Sequence, residues 1–245
     1  MPAKGSTPSS RNARRAGSTV KPLRRASFWR YFWAGLLLLT VSACASNPAP
    51  KPSPAPAVSS LRAQIAAYQD NPELCAFALA QEGAVFRSLP DTPIENGCGL
   101  TGGVRMESSR LSWNRPYSIT CPMAAALLYL EREVIQPAAR RHFGQDVAAA
   151  THYGTYACRN RNALPAGRRS EHARANAIDI AGFELIDGTR ITVLGDWAGG
   201  GPKEAFLREV HAGACGLFQG VIGPDGDAQH ENHFHFDLGA WPFCD

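Results

Sequence analysis

No stretch of this 245-residue chain is long and apolar enough for an ordinary membrane span. The longest apolar run, YFWAGLLLLTVSA at residues 31–43, has about 13 residues where a span needs about 20. Acidic residues are missing from residues 1–44, which carry eight of the 25 Lys and Arg. Without that segment 17 basic residues face 21 acidic ones, a formal charge of −4, although the whole chain is +4. The basic excess belongs to the N-terminal segment, so the rest of the chain lacks the surplus that a nucleic-acid binder needs. No two cysteines stand in C-x-x-C spacing, which argues against a zinc site built from thiolates. No internal repeat is present. What remains, 44% apolar, suits one ordinary domain with extensions.

The basic segment followed by the apolar run reads as an export signal over residues 1–43. The run ends in Val41, Ser42, Ala43 and Cys44. VSAC resembles a bacterial lipobox, in which the cysteine takes lipid and becomes the mature N-terminus. A plain signal peptide cut after Ala43, with Cys44 incidental, is the other reading. Two or more acyl chains on Cys44 would anchor the chain stably to a membrane. Ala45, rather than an Asp, points to the periplasmic face of the outer membrane. Residues 44–60 are proline-rich, which favours an extended polyproline II tether. The folded domain is expected over residues 61–245.

The cysteines agree with export. There are seven: Cys44, Cys75, Cys98, Cys121, Cys158, Cys215 and Cys244. Lipidation of Cys44 leaves six, enough for three disulfides in an oxidising compartment. Sequence alone does not choose their pairing, and free buried thiols are the alternative.

The patterning predicts an α+β fold. Residues 61–86 carry a weak helical period, with Asn71 and Pro72 as cap and first turn. Residues 89–100 are rich in turn formers and read as loop. Residues 122–143 form the strongest helix, with Gly144 after it and Pro137 expected to kink or divide it. Strands are expected at 151–159 and 176–185, with a hairpin turn at Asp187 and Gly188. A helix at 202–215 and two final strands complete an antiparallel sheet with one inserted helix.

Three of the seven histidines, His230, His233 and His235, lie within the nine residues QHENHFHFD. In a strand, His233, His235 and Asp237 share one face, and Phe234, Phe236 and Leu238 the other. The apolar face can pack on a core while the polar face presents two imidazoles about 7 Å apart. A solvated strand face is the plain alternative. A second segment, SEHARANAIDI, holds His172 in a loop and Asp179 in an apolar strand. A buried unpaired carboxylate is costly, and coordination to a cation offsets that cost. Backbone hydrogen bonds to Asp179 would do so too, and His172 could be an ordinary loop histidine.

Together these residues resemble the zinc peptidase superfamily of lysostaphin, D-alanyl-D-alanine and hedgehog types. SEHARANAID follows the D-alanyl-D-alanine motif S-x-H-x-x-G-x-A-x-D through Ser170, His172, Ala177 and Asp179, with Ala175 where that motif has glycine. The stretches CPMAAALLYLE, YACRNR, SEHA, GACGLF, GPDGD and HENHFHFD, spanning about residues 70–245, resemble the bacterial extensin-like C-terminal domain family.

These resemblances imply N-terminal helices packed on a small antiparallel sheet that carries a metal site. They imply Zn2+ held by His172, Asp179 and His235, with a fourth position open for water. His233 would be general base or would stabilise charge. His230 completes an H-x-x-H-x-H spacing similar to that of penicillin-insensitive murein endopeptidases. Arg159 would polarise the scissile carbonyl or hold substrate oxygens, with a structural salt bridge as its other reading, and Ser170 would contact substrate. One departure stands out: the D-alanyl-D-alanine peptidases carry a catalytic Glu three residues before the last ligand, and here that position is Asn232. Glu231 alternates away from the histidine face. The expected function is a zinc peptidase cutting stem or cross-link amides of peptidoglycan. The alternative is a non-catalytic metal-binding or wall-binding envelope lipoprotein.

Overall fold

The structure is a computed structural model, and it describes residues 58–245. Cys44, the signal segment and the tether up to residue 57 lie outside the described residues. Among the described residues no helix is long and apolar enough to cross a membrane.

The domain opens with α1 (Val58–Ala67) and α2 (Pro72–Gln81). The Asn71 side chain accepts from Leu74 N–H, and Pro72 occupies the first turn, where a missing N–H costs nothing. The helical reading of 61–86 ends early, because β1 (Val85–Ser88) begins after the turn at Gly83. β2 (Thr92–Glu95) and β3 (Cys98–Leu100) pair across Asn96 and Gly97, both at positive φ. The segment read as loop is therefore a hairpin, and Asn-Gly is the sequence signal for it. β4 (Gly103–Ser108), β5 (Ser112–Trp113) and β6 (Tyr117–Thr120) follow, and β1, β4 and β6 make a three-stranded sheet.

The strong helix runs as α3 (Cys121–Leu130), a π-helical turn (Glu131–Ile135) and α4 (Gln136–Phe143). Pro137 is the cause of the division. It has no N–H to give, and its ring crowds the carbonyl four residues back, so the chain widens just before it. Gly144 closes α4 in the left-handed conformation. α3 is buried along nearly its whole length and is the core helix.

β7 (Val147–Gly154), β8 (Ala177–Leu185), β9 (Arg190–Thr192), β10 (Gly220–Ile222), β11 (Phe234–Asp237) and β12 (Phe243–Cys244) join β5 in the main sheet. Its order is β12-β10-β11-β8-β7-β5, with β9 also on β8. The sheet is mostly antiparallel, but β5–β7 and β10–β12 pair in parallel. β7 ends at Gly154, so Arg159 lies in a loop rather than in the strand expected at 151–159. Short α5 (Val193–Asp196) leads to α6 (Gly201–Ala214). Phe206 of α6 packs edge-on against Phe143 and Phe183, which ties the helix to both α4 and β8.

β8 and β11 place the site. Phe234 pairs with Ile180 and Phe236 with Ile178, all fully buried, while His235 pairs directly with Asp179. The apolar face of each strand fixes the register, because a slip of one residue would put both charged side chains into the core. The structure joins Cys75 to Cys121, Cys98 to Cys158 and Cys215 to Cys244. They close loops of 46, 60 and 29 residues, each contributing about 4 kcal/mol by loop entropy alone.

Candidate metal centre

His172 sits in a single 3-10 turn (Glu171–Arg174) capped by Ser170, whose hydroxyl accepts from His172 N–H at 3.4 Å. The turn closes on Ala175 at φ 51°, in the left-handed region. A glycine there is unstrained, and alanine costs about 1 kcal/mol. The chain needs this conformation to swing from the turn into β8 within two residues, which brings Asp179 back under His172.

His172 Nε2 and His235 Nδ1 each lie 3.0 Å from the same oxygen, Asp179 Oδ1, and 3.1 Å from each other. All three residues are buried. Among the described residues no backbone N–H donates to the Asp179 side chain, so backbone hydrogen bonds do not account for this carboxylate. The outer nitrogens each face an acceptor that can hold the single hydrogen of a neutral ring. His172 Nδ1 is 3.2 Å from the Thr155 carbonyl, which only accepts, so that nitrogen carries hydrogen. His235 Nε2 faces Asp237 Oδ2 at 3.0 Å and carries hydrogen for the same reason. In neutral imidazoles the two inner nitrogens are then bare. Three lone pairs converge with no donor among them.

The charges respond accordingly. Burial opposes ionising Asp179, yet the two imidazoles hold its carboxyl well below the usual range. Burial likewise opposes charge on His235, but hydrogen bonds to Asp179 and Asp237 push it up to about 9. Without a cation, a proton on His235 takes the place of positive charge between these groups.

His233 precedes β11 by one residue. Its Nε2 lies 3.6 Å from Asp179 Oδ1 and its Nδ1 lies 2.7 Å from Asn232 Oδ1. Burial, together with the neighbouring histidines, lowers it to about 4 against the pull of Asp179. His230 is buried, holds Asp227 Oδ1 at 2.6 Å, and packs its ring on His233 and His235 at 5.0 and 5.6 Å. Arg159 is half-buried, and its guanidinium has no hydrogen bond or ion pair among the described residues. Its carbonyl accepts from Ser170 N–H, which lays it along the His172 turn. Glu231 is exposed.

Residues 73–245 match the family described as Extensin-like protein C-terminus. The chain belongs to that family. No curated protein and no solved structure matches the chain. In this extensin-like domain four supporting groups escaped the sequence reading as site residues. Asp237 shares a strand face with His235, so its place beside the His235 ring was legible from alternation. Asp227, three residues before His230, has an ordinary helix-cap signature. The Thr155 carbonyl carries no side-chain signal. Tyr153, whose ring lies 5.6 Å from His233, is aimed there by a bulge in β7 that no composition reveals.

Proposed function

We propose that this domain is a zinc-dependent peptidase acting on peptidoglycan amides at the cell envelope. The observation that carries the reading is the convergence of His172 Nε2, His235 Nδ1 and Asp179 Oδ1, three ligand-type atoms that all become free lone pairs once a cation displaces the His235 proton. Tetrahedral zinc with bonds near 2.05 Å sets its ligand atoms about 3.3 Å apart, and the three atoms here are 3.0–3.1 Å apart. Two imidazoles and one carboxylate are also the donor set of a catalytic rather than a structural zinc site. The outer hydrogen bonds to Thr155 and Asp237 fix each ring in the ligating tautomer.

Bound zinc would supply a Lewis acid that polarises an amide carbonyl and acidifies water to a pKa near 7. The chain's own residues would handle the proton and the geometry. Asn232 Oδ1 can only accept, so the His233 nitrogen facing it carries hydrogen and Nε2 is left bare toward the triad. His233 therefore suits a general base, taking a proton at Nε2 and passing it to the leaving amine. Asn232 orients that base in place of supplying one. Asp227 holds His230 against His233 and limits the ring's freedom. Arg159, half-buried and unpartnered, suits a substrate oxygen. Ser170 caps the His172 turn, which supports a positioning role in addition to any contact with substrate.

The lipobox-like VSAC and the proline-rich tether support placement as a lipoprotein facing the wall. The test is release of soluble muropeptides from isolated sacculi, with zinc, by the parent chain and by His235→Ala. Release by the parent, reduced to background in the variant, is expected. Equal release, or none from either, contradicts peptidase activity and leaves the non-catalytic wall-binding alternative.

A further inference from the structure

A cleft of about 520 Å³ lies beside the triad. Its wall includes Gly154, the register partner of Asp179, and Thr155, whose carbonyl holds His172. The β7 bulge inserts Tyr153 between His152, opposite Ile180, and Gly154, opposite Asp179. Bulges re-aim side chains, and this one turns the Tyr153 ring toward His233. Gly154 has an ordinary φ, so backbone freedom does not demand glycine. A Cβ there would meet nothing within 4 Å, so its absence keeps space open next to Asp179.

The cleft's charge is one-sided. Arg105 and Arg115 line it, and no carboxylate does. That runs against the chain beyond residue 44, where acids outnumber bases. It also runs against the larger cleft of about 910 Å³, whose lining has Asp70, Asp91 and Glu171 against Arg174 alone. Neither guanidinium of the smaller cleft is saturated. Arg105 meets Ser118 Oγ only at 3.4 Å and Glu107 at 3.9 Å. Arg115 gives one nitrogen to the Tyr153 carbonyl and is otherwise exposed. Tyr153 and Tyr156, each about half exposed, add flat walls with free hydroxyls.

We propose that this cleft is the subsite for a free carboxylate of the peptide substrate, held by Arg105 and Arg115 while the neighbouring amide lies at the triad. This deepens the peptidase reading and rests on it. Guanidinium forks match carboxylates two bonds at a time, and such charge-assisted bonds are about twice as strong as neutral ones. Phosphate shares that chemistry.

The test is calorimetric binding of an acetylated D-alanine tripeptide to the zinc-loaded full chain, with a free C-terminal carboxylate or as its amide. The carboxylate form is expected to bind about tenfold tighter. Arg105→Gln and Arg115→Gln should each remove most of that preference. Arg190→Gln, an exposed arginine on β9 outside the cleft, should keep it. Equal affinities in the parent, a preference retained in both cleft variants, or no binding of either peptide would overturn the proposal. Inorganic phosphate binding more tightly than the peptide would also overturn it, by assigning the cleft to a phosphate ligand. Binding needs no turnover, so a lost preference with intact sacculus hydrolysis would remove the subsite alone. An intact preference without hydrolysis would remove the peptidase reading alone.

Discussion

Two of the domain's histidine–aspartate pairs stand in contrast, His172 with Asp179 at the middle of the sheet and His211 with Asp245 beside α6. Their separations are similar, 3.0 and 2.7 Å. Their surroundings are not. Asp245 accepts from Gly223 N–H through both oxygens, at 2.9 and 3.2 Å, so the protein itself supplies its donors. One imidazole stands beside it, packed edge-on or tilted against Trp197 and Phe234. The His211–Asp245 contact is close but lacks hydrogen-bond alignment. Among the described residues Asp179 receives no backbone donor, and it faces two imidazole nitrogens at 3.0 Å. A short His–Asp distance therefore says little about chemistry. The groups that face each carboxylate separate the proposed metal site from the His211–Asp245 pair.

The contrast can be broken most sharply with alanine. His172→Ala should reduce zinc affinity by more than about 100-fold, whereas His211→Ala should leave it unchanged, as read by competition with a chelating dye. Zinc loss in both would erase the distinction. Asp237→Asn keeps the shape but weakens the hold on His235 Nε2, and should cost about 10–100-fold in zinc affinity. An unchanged affinity would show that the His235 tautomer needs no carboxylate.

Acid should act on the second pair as well as on the triad. Burial lowers His211 below its usual 6.5, with Asp245 only partly offsetting it. A histidine depressed in the folded state binds fewer protons folded than unfolded, so stability rises with pH and is lost as pH falls below about 6.5. That loss can reach about 1.4 kcal/mol per pH unit for one group. His152 and His233 are lowered by burial too, His233 to about 4, so His211→Gln should flatten the acid limb of a urea-denaturation series only in part. An unchanged slope would clear His211 of that role. The smallest effect concerns strain, which lies beside the triad and not at the His211–Asp245 pair. Ala175→Gly should raise stability by about 1 kcal/mol without altering zinc affinity. A loss of stability would mean that the left-handed turn is not strained.

Much of the centre was legible because it rests on alternation. His235 and Asp237 on one face, with Phe234 and Phe236 on the other, follow from the period of a strand. Alternation gives faces and not neighbours, so the pairing of Asp179 opposite His235 came only from the fold. Helix α6 and the hairpin at Gly188 also stand where local signals put them. What failed was non-local or hidden in short pieces. β1 follows α2 after a few residues and was absorbed into a helical period. Asn96 and Gly97 lie among many turn formers that mask the pair as a hairpin signal. Disulfide partners are chosen by the fold. The bulge at Tyr153 depends on how β7 meets β8, so neither the cleft nor its two arginines could be assembled from spacing. Asn232 read as a missing base, and only its contact with His233 Nδ1 gives it a part.

The central claim is that His172, Asp179 and His235 hold one zinc ion. Metal content of the folded, purified chain, prepared with zinc present and then dialysed, tests it most directly. One zinc per chain in the parent and none in His235→Ala is the predicted result. A parent that folds with its three disulfides and retains no zinc would contradict it.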